Sequence, residues 1–329
     1  VPINNLSDLA TASFRYEANL EYLEKRARIL QKIRAFFVAR NLLEVETPLL
    51  AYAPVTDPHI DALAVFGPLS GEPSAEPKQY GYLQTSPEYA MKRLLAMGVG
   101  SCFQICKAFR ADPPSKIHHH EFTMLEWYRL GFTDRELMQE TDDLLQTILN
   151  CPPSIRLSYE NAFLHYLKIS ALNSSVESLK KLFIEKFGPI PHSEHFTLDD
   201  WRMLLFSHGI EPFLTGEAPY IIFDFPASQA ALAKIKNTQT AARFEVYVQG
   251  IELANGYHEL QDPDQQRRRF DSDLALRASL QKKQVPIDQE LLLALEHGLP
   301  DCAGIALGID RLIFLALKAK NIREIAVIA

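Results

Sequence analysis

Two alternating segments separated by a short polar loop constrain this chain more than any other feature. The segment SCFQICKAFRAD (101–112) puts Phe103, Ile105 and Phe109 on one face of an extended chain and Gln104 and Arg110 on the other. EFTMLEWYRL (121–130) follows with a second strand pattern. Strands this close in sequence pair antiparallel, because a parallel return needs a long crossover, usually a helix. The pair predicts a long antiparallel hairpin. A second strand-rich stretch, ARFEVYVQGIELANGYHEL (242–260), and a small-residue strand running into a helix, CAGIALGIDRLIFLALKA (302–319), complete the pattern. This order is not the strand–helix alternation of a parallel sheet. It predicts an α+β fold, an antiparallel β-sheet flanked by helices.

The remaining elements fit around that sheet. Leu20, Leu23, Ala27, Leu30, Ile33 and Phe37 step by three and four, which predicts one buried helical face on a helix ending near Asn41. LLEVETPLL (42–50) reads as a short strand broken by Pro48. Residues 67–79 are rich in Pro and Gly and read as an exposed loop, and 1–18 as an N-terminal arm. GYLQTSPEYAMKRLLAMGVG (81–100) reads as strand, turn and helix, with Ser86 as cap, Pro87 at the first helical position and Glu88 in the first turn. Residues 134–217 are expected to be mostly helical, with turns at Pro152–Pro153 and around Pro191, and 263–298 to be helical and charged. No repeat divides the chain, so 1–329 is read as a single domain.

Composition excludes several classes. The 329 residues hold 10% aromatics and only 14 Gly, which rules out collagen-like and largely disordered chains. No apolar run approaches the ~20 residues of a spanning helix, and no export signal is visible, so a cytoplasmic protein with no membrane association is expected. The formal charge of −7 argues against gripping nucleic acid as the chief task. The four cysteines form no CxxC pair and no zinc spacing, which fits reduced thiols. There is no P-loop, no G-x-S-x-G elbow and no G-x-G-x-x-G after a strand.

Three constellations carry potential chemistry. Phe122, Met124, Glu126 and Tyr128 share one face of the second hairpin strand, and Arg110 ends its partner. A ring, a carboxylate and a phenol on one face do not make a simple core face, although an amphipathic hairpin whose Arg110 pairs with a surface acid has the same pattern. A tight turn near Val248–Gln249 would set Glu245 opposite or diagonal to Glu252, near Asn255 and Glu259. Like charges so placed repel unless a cation intervenes, and oxygen ligands suit Mg²⁺; two solvated glutamates on an edge hairpin are the alternative. Gly304, Ala306 and Gly308 strip one strand face of side chains ahead of Asp310–Arg311, which admits either a ligand or a closely packed helix. His118, His119 and His120 are adjacent on an extended chain and point different ways, so a loop histidine touching phosphate is expected rather than a dedicated metal site.

Together these segments resemble the three motifs of class II aminoacyl-tRNA synthetases, lysyl branch. EVETP (44–48) is similar to motif 1, with Pro48 at the dimer interface; FRAD to HHHEFTMLEWY is similar to motif 2, and GIALGIDR (304–311) to motif 3. SPEYAMKRL and RFEVYVQGIELANGYHEL resemble the lysine-site segments. Motif 1 falls within the first 50 residues, so no anticodon-binding OB domain is expected, and 134–217 becomes a helical insertion between motifs 2 and 3. This truncated form closely resembles the elongation factor P–lysine lysyltransferase family, whose members activate (R)-β-lysine with ATP and transfer it to a lysine of elongation factor P rather than to tRNA.

The resemblance implies roles residue by residue. Arg110 would neutralise the α-phosphate of ATP and Arg311 would hold the γ-phosphate, with Phe122 stacked on adenine, Arg311 on its other side, and His118 near the phosphates. Glu245 and Glu252 would carry Mg²⁺. Glu259 would pair with the substrate's ε-ammonium, with Glu126 and Tyr128 completing that end and Glu88 and Asn255 binding its other polar groups. A homodimer is implied. The sequence departs from the family in two motif 2 positions: Asp112 stands for the usual Glu on the adenine side, and His118-His119-His120 for His-Asn-Pro. Ser86 and Ala306 stand where lysyl-tRNA synthetases have Ala and Gly, and both fit the β-lysine branch. The alternatives are a lysyl-tRNA synthetase-like enzyme activating α-lysine, and a non-catalytic regulatory paralogue that binds amino acid or nucleotide.

Overall fold

The central hairpin forms as its alternation predicts. The computed structural model describes residues 18–67 and 78–327, so the expected arm and most of the 67–79 loop lie outside the described residues. In chain order the elements are α1 (Leu20–Val38), β1 (Leu43–Glu44), β2 (Leu50–Ala51), β3 (Ala64–Gly67), β4 (Lys78–Leu83), α2 (Glu88–Ala96), β5 (Cys102–Phe109) and β6 (Glu121–Leu130). There follow α3 (Asp134–Leu149), β7 (Ile155–Ser158), α4 (Tyr159–Tyr166), α5 (Val176–Phe187), α6 (Leu198–Gly209) and β8 (Tyr220–Phe223). The chain closes with β9 (Arg243–Val248), β10 (Ile251–His258), α7 (Pro263–Ser279), α8 (Gln289–Gly298), β11 (Cys302–Gly308) and α9 (Ile309–Leu317).

Eight strands make one sheet in the order β1-β5-β6-β11-β10-β9-β8-β7, and β2-β4-β3 form a small second sheet. The inner pairings are antiparallel; only the flanking pairs β1–β5 and β7–β8 are parallel. The β9–β10 connection turns on Gln249 and Gly250, both at positive φ (55° and 72°), the conformation that tight hairpins with right-handed strand twist require.

Period two then sorts side chains between the faces. Phe103, Leu125, Trp127, Ile305 and Leu307 point to one side and are buried under α1, α3 and α9. On α3 a capping box of Thr133 and Glu136 fixes the start, and Leu137, Met138, Leu144 and Leu145 face this core. The indole of Trp127 donates to Glu140 Oε2 at 3.1 Å, so the largest core side chain keeps its polar atom satisfied. A separate apolar cluster gathers α4, α5 and α6 around Phe163, Trp201 and Phe206 and rests on Ile222 and Tyr247 of the sheet edge. A third joins α2, α7 and α8 through Met91, Phe270 and Leu292.

Three local expectations need correction and a fourth gains detail. Leu20 and Ala27 are exposed on α1, whose buried residues are Ile33, Phe36 and Phe37; the N-terminal half meets β6 and α9 through Arg26, which bonds Thr123 and pairs with Asp310, rather than through a fully buried apolar stripe. LLEVETPLL is not one interrupted strand: Pro48 separates β1 from β2, which join different sheets. The region 134–217 is mostly helical, as expected, and adds one short strand, β7, which pairs with β8. Pro87, not Ser86, occupies the cap position of α2; the Ser86 hydroxyl instead accepts from Glu88 N at 3.1 Å and donates across the site. Among the described residues no helix is long and apolar enough to cross a membrane, and the four cysteines are unpaired.

Candidate active site

The sheet face opposite the main core lines a cavity of about 350 Å³. Every residue singled out from the sequence reaches it: Ser86, Glu88, Arg110, Asp112, His118, Phe122, Glu126, Tyr128, Glu245, Glu252, Asn255, Glu259, Ala306 and Arg311 all contribute to its wall. Strand register explains this. Ala306 lies opposite Glu126 on β6 and opposite Asn255 on β10, and Gly304 opposite Tyr128 and Tyr257. The bare strand β11 therefore forms a floor between two strands that carry the polar groups.

One end of the cavity is acidic. Glu126 is buried; Ser86 Oγ donates to its Oε2 at 2.6 Å and Tyr128 OH to its Oε1 at 2.7 Å. Burial, and then the neighbouring Glu88 charge, push its carboxyl up to about 8, so it holds a proton at neutral pH. Glu259, just past β10, is also buried, and burial pushes it up to about 7 against the attraction of Lys92. Lys92 was not anticipated. Its ammonium lies 2.6 Å from Glu88 Oε1 and 2.6 Å from Glu259 Oε2 and is almost fully buried. Burial alone would lower its pKa; Glu259 and Glu88 outweigh that and raise it, so it stays charged. The Oδ1 of Asn255 is buried without a hydrogen-bond partner among the described residues.

The other end is basic. The Arg110 guanidinium lies 5.3 Å from the Phe122 ring, and its Nε is buried with no partner among the described residues. The cation beside Phe122 is thus Arg110. Arg311, in the first turn of α9, donates to the backbone oxygen of Glu252 and contacts His118 Nε2, while His118 Nδ1 lies 2.9 Å from Ser115 Oγ. Burial and the Arg311 charge lower the His118 pKa, so the ring is neutral and receives the Arg311 proton donor. The three histidines diverge as expected: His118 meets Arg311, His119 accepts from Glu121 N, and His120 meets the backbone oxygen of Arg110.

Between the ends stand Glu245 and Glu252. They are not directly opposite: Glu245 faces Asn255, Glu252 faces Tyr247, and a bulge follows Glu252. Glu245 is held by Arg243 and by the Tyr247 hydroxyl. No hydrogen bond or ion pair reaches the Glu252 carboxylate among the described residues, and burial followed by the Glu245 charge raises its pKa. That arrangement favours an added cation. Among the described residues no cluster of three or more His, Cys, Asp or Glu could hold a metal alone. Two carboxylates suffice for Mg²⁺ when substrate phosphates complete its shell. Arg243 was also missed. It lines the cavity, anchors to Gln229 O at 2.7 Å and orients Glu245, and its place in RFEVY beside a site carboxylate was the only available signal.

The chain matches the family model of tRNA synthetases class II (D, K and N) over residues 9–328. It is also similar to the elongation factor P–(R)-beta-lysine ligase of Pseudoalteromonas translucida (strain TAC 125), with 48% identity over 311 residues, covering 94% of this chain and 95% of that protein.

The floor of the cavity gives a direct test of this geometry. A Cβ on Gly304 would lie 2.2 Å from the Tyr128 ring and 2.6 Å from Glu259 Oε1, and the ring is buried and cannot retreat. Gly304→Ala is expected to cost about 1–3 kcal/mol of stability, read as a lowered apparent Tm. An unchanged Tm would mean that strand β11 does not approach β6 this closely.

Proposed function

The chain belongs to the class II tRNA synthetase family, and from that premise we propose that it activates (R)-β-lysine with ATP and transfers it to a lysine side chain of elongation factor P. Use of ATP follows from the family. The observation that carries the substrate is the polarity of the cavity: unsatisfied arginine at one end, and Glu88, Glu126 and Glu259 clustered at the other. A diamino monocarboxylic acid has that polarity. The similar ligase of Pseudoalteromonas translucida supplies the identity of the amino acid and of the acceptor.

In the first step a carboxylate oxygen of β-lysine attacks the α-phosphorus, and the bond to pyrophosphate breaks. Arg110 neutralises charge at that phosphate, and Arg311, supported by His118, holds the distal phosphates. Phe122 provides the adenine platform, with Asp112 at its edge. Glu245 and Glu252 would hold Mg²⁺, which offsets phosphate charge when bound. In the second step an acceptor lysine amine attacks the acyl carbonyl, AMP leaves, and the amine loses a proton. The chain needs no covalent nucleophile of its own. Residues 1–329 act as one catalytic domain in this reading, with the α4–α6 cluster as its insertion, and Pro48 with exposed Leu49 and Leu50 forms part of a homodimer interface.

Four measurements test the proposal. Pyrophosphate exchange is expected with (R)-β-lysine in preference to α-lysine, and incubation with ATP, β-lysine and elongation factor P should add one lysyl mass to that protein. Efficient charging of tRNA without modification of the protein would overturn it. Light scattering at micromolar concentration is expected to report a dimer; a monomer alone would remove the interface assignment.

A fourth measurement addresses selectivity. The Ala306 methyl lies between Glu126 and Asn255, and Ser86 is bonded to Glu126. A methyl-sized change in a tight pocket discriminates by about 10- to 200-fold. Ala306→Gly, most clearly with Ser86→Ala added, should therefore shift the ratio of kcat/KM toward α-lysine. An unchanged ratio in the double variant would place selectivity elsewhere.

A further inference from the structure

Lys92 is absent from the chemistry described above, yet it is the most deeply buried cation beside the acidic end of the site. It sits four residues after Glu88 on α2, one helical turn on, so its side chain returns along the same face. Its ammonium meets one oxygen of Glu88 and one of Glu259, each at 2.6 Å. It does not line the cavity. It approaches both carboxylates from behind and leaves Glu88 Oε2 and Glu259 Oε1 unbridged. Glu259 Oε1 is buried without a hydrogen-bond partner among the described residues and lies against the bare floor at Gly304.

We infer that Lys92 is a positioning residue that sets how many ammonium groups the amino-acid pocket accepts. The acidic end contains three carboxylates, Glu88, Glu126 and Glu259. One resident ammonium leaves a deficit of two positive charges when all three are ionised. A diamino acid brings two ammonium groups, while its carboxylate faces Arg110. The resident cation thus tunes the pocket to a diamino acid. Without it, Glu259 loses its resident counter-charge and keeps a proton, so the substrate ammonium placed against Glu259 meets no ionised oxygen there.

The groups facing this cluster are Glu88 and Lys92 on α2, Glu126 and Tyr128 on β6, Tyr257 on β10, Cys302 on β11, and Glu259 with Lys234 beside it. Lys92 is the buried cation among them; Lys234 is partly exposed and pairs with Asp301. Burial already pushes Glu259 up to about 7 with Lys92 in place. Removing the ammonium moves that carboxyl further up. Substrate capture needs the carboxylate ionised, so the acidic limb of kcat/KM for the amino acid must move to higher pH.

The inference rests on the function proposed above, and its test separates the two. Wild type, Lys92→Met and Lys92→Met/Glu259→Gln are compared. Without any ligand, Lys92→Met is expected to lower the apparent Tm by about 5 °C, and the double variant to regain most of the loss, because removing one carboxylate together with the ammonium restores the wild-type charge balance of the cluster. A double variant no more stable than the single one would overturn the inference, whether or not the single variant can be purified. In pyrophosphate exchange, Lys92→Met should raise KM for (R)-β-lysine about tenfold near pH 7, corresponding to a limb moved by about one pH unit. The gap should narrow by about pH 8.5, with KM for ATP unchanged. A KM change independent of pH would reduce Lys92 to packing and overturn the inference. Wild type showing no exchange with either lysine isomer would overturn the proposed function, and the ligand-free stability comparison would still decide the role of Lys92.

Discussion

The register of β6 against β11 is the constraint on which the rest depends. Pairing Ala306 with Glu126 and Gly304 with Tyr128 sends Leu125, Trp127, Ile305 and Leu307 into the core and their neighbours into the cavity. A slip of one residue on either strand would exchange the faces. Glu126 would enter a layer occupied by Phe37 and Phe103, and Trp127 would fill the cavity. The apolar core therefore fixes the site: the same alternation that buries one face obliges the other to carry the polar groups together.

Gathering them is costly, and the structure shows how the cost is offset. Glu126 receives two hydroxyl donors, Glu88 and Glu259 share Lys92, and Glu245 is held by Arg243 and Tyr247. Glu252 alone is left to the field of the arginines. Compensation is incomplete, since Glu126 is held well above the ordinary carboxylate value of 4.5, at about 8. The sign follows from linkage. The folded chain binds this proton more tightly than the unfolded chain, so the stability it contributes is present below about 4.5 and is lost as pH rises through about 8. At neutral pH this end of the cavity therefore favours an added cation, which would offset the neighbouring carboxylates.

Much of this was legible in the sequence because it depended on local patterns. The alternation of 101–112 and 121–130 announced the hairpin, and the small residues at 304, 306 and 308 announced a bare strand face. The family motifs brought the site residues together before any geometry was known. Strand β7 was not legible, because four residues behind two prolines, half of them exposed, carry no alternation to detect. Lys92 and Arg243 were missed for a different reason. A charged residue on a helix or strand reads as a solvated face, and only a partner distant in sequence reverses that reading; for Lys92 the decisive partner is Glu259. The exposure of Leu20 and Ala27 was equally hidden, since periodicity gives the apolar stripe of α1 but not that its N-terminal half is held by the polar contacts of Arg26.

The three small residues of β11 are not equivalent, which bears on where such a site can change. At Gly304 a side chain would collide with the Tyr128 ring and Glu259, so packing alone demands glycine. At Gly308 a Cβ would approach only the Arg311 side chain, at 3.6 Å, an ordinary contact. Position 306 already carries a methyl, set between Glu126 and Asn255. The floor is therefore graded from closed to permissive along one strand. Changes at 304 alter the fold before they alter recognition. Position 306 is where a methyl-sized change alters the cavity while the register that holds the sheet together stays intact.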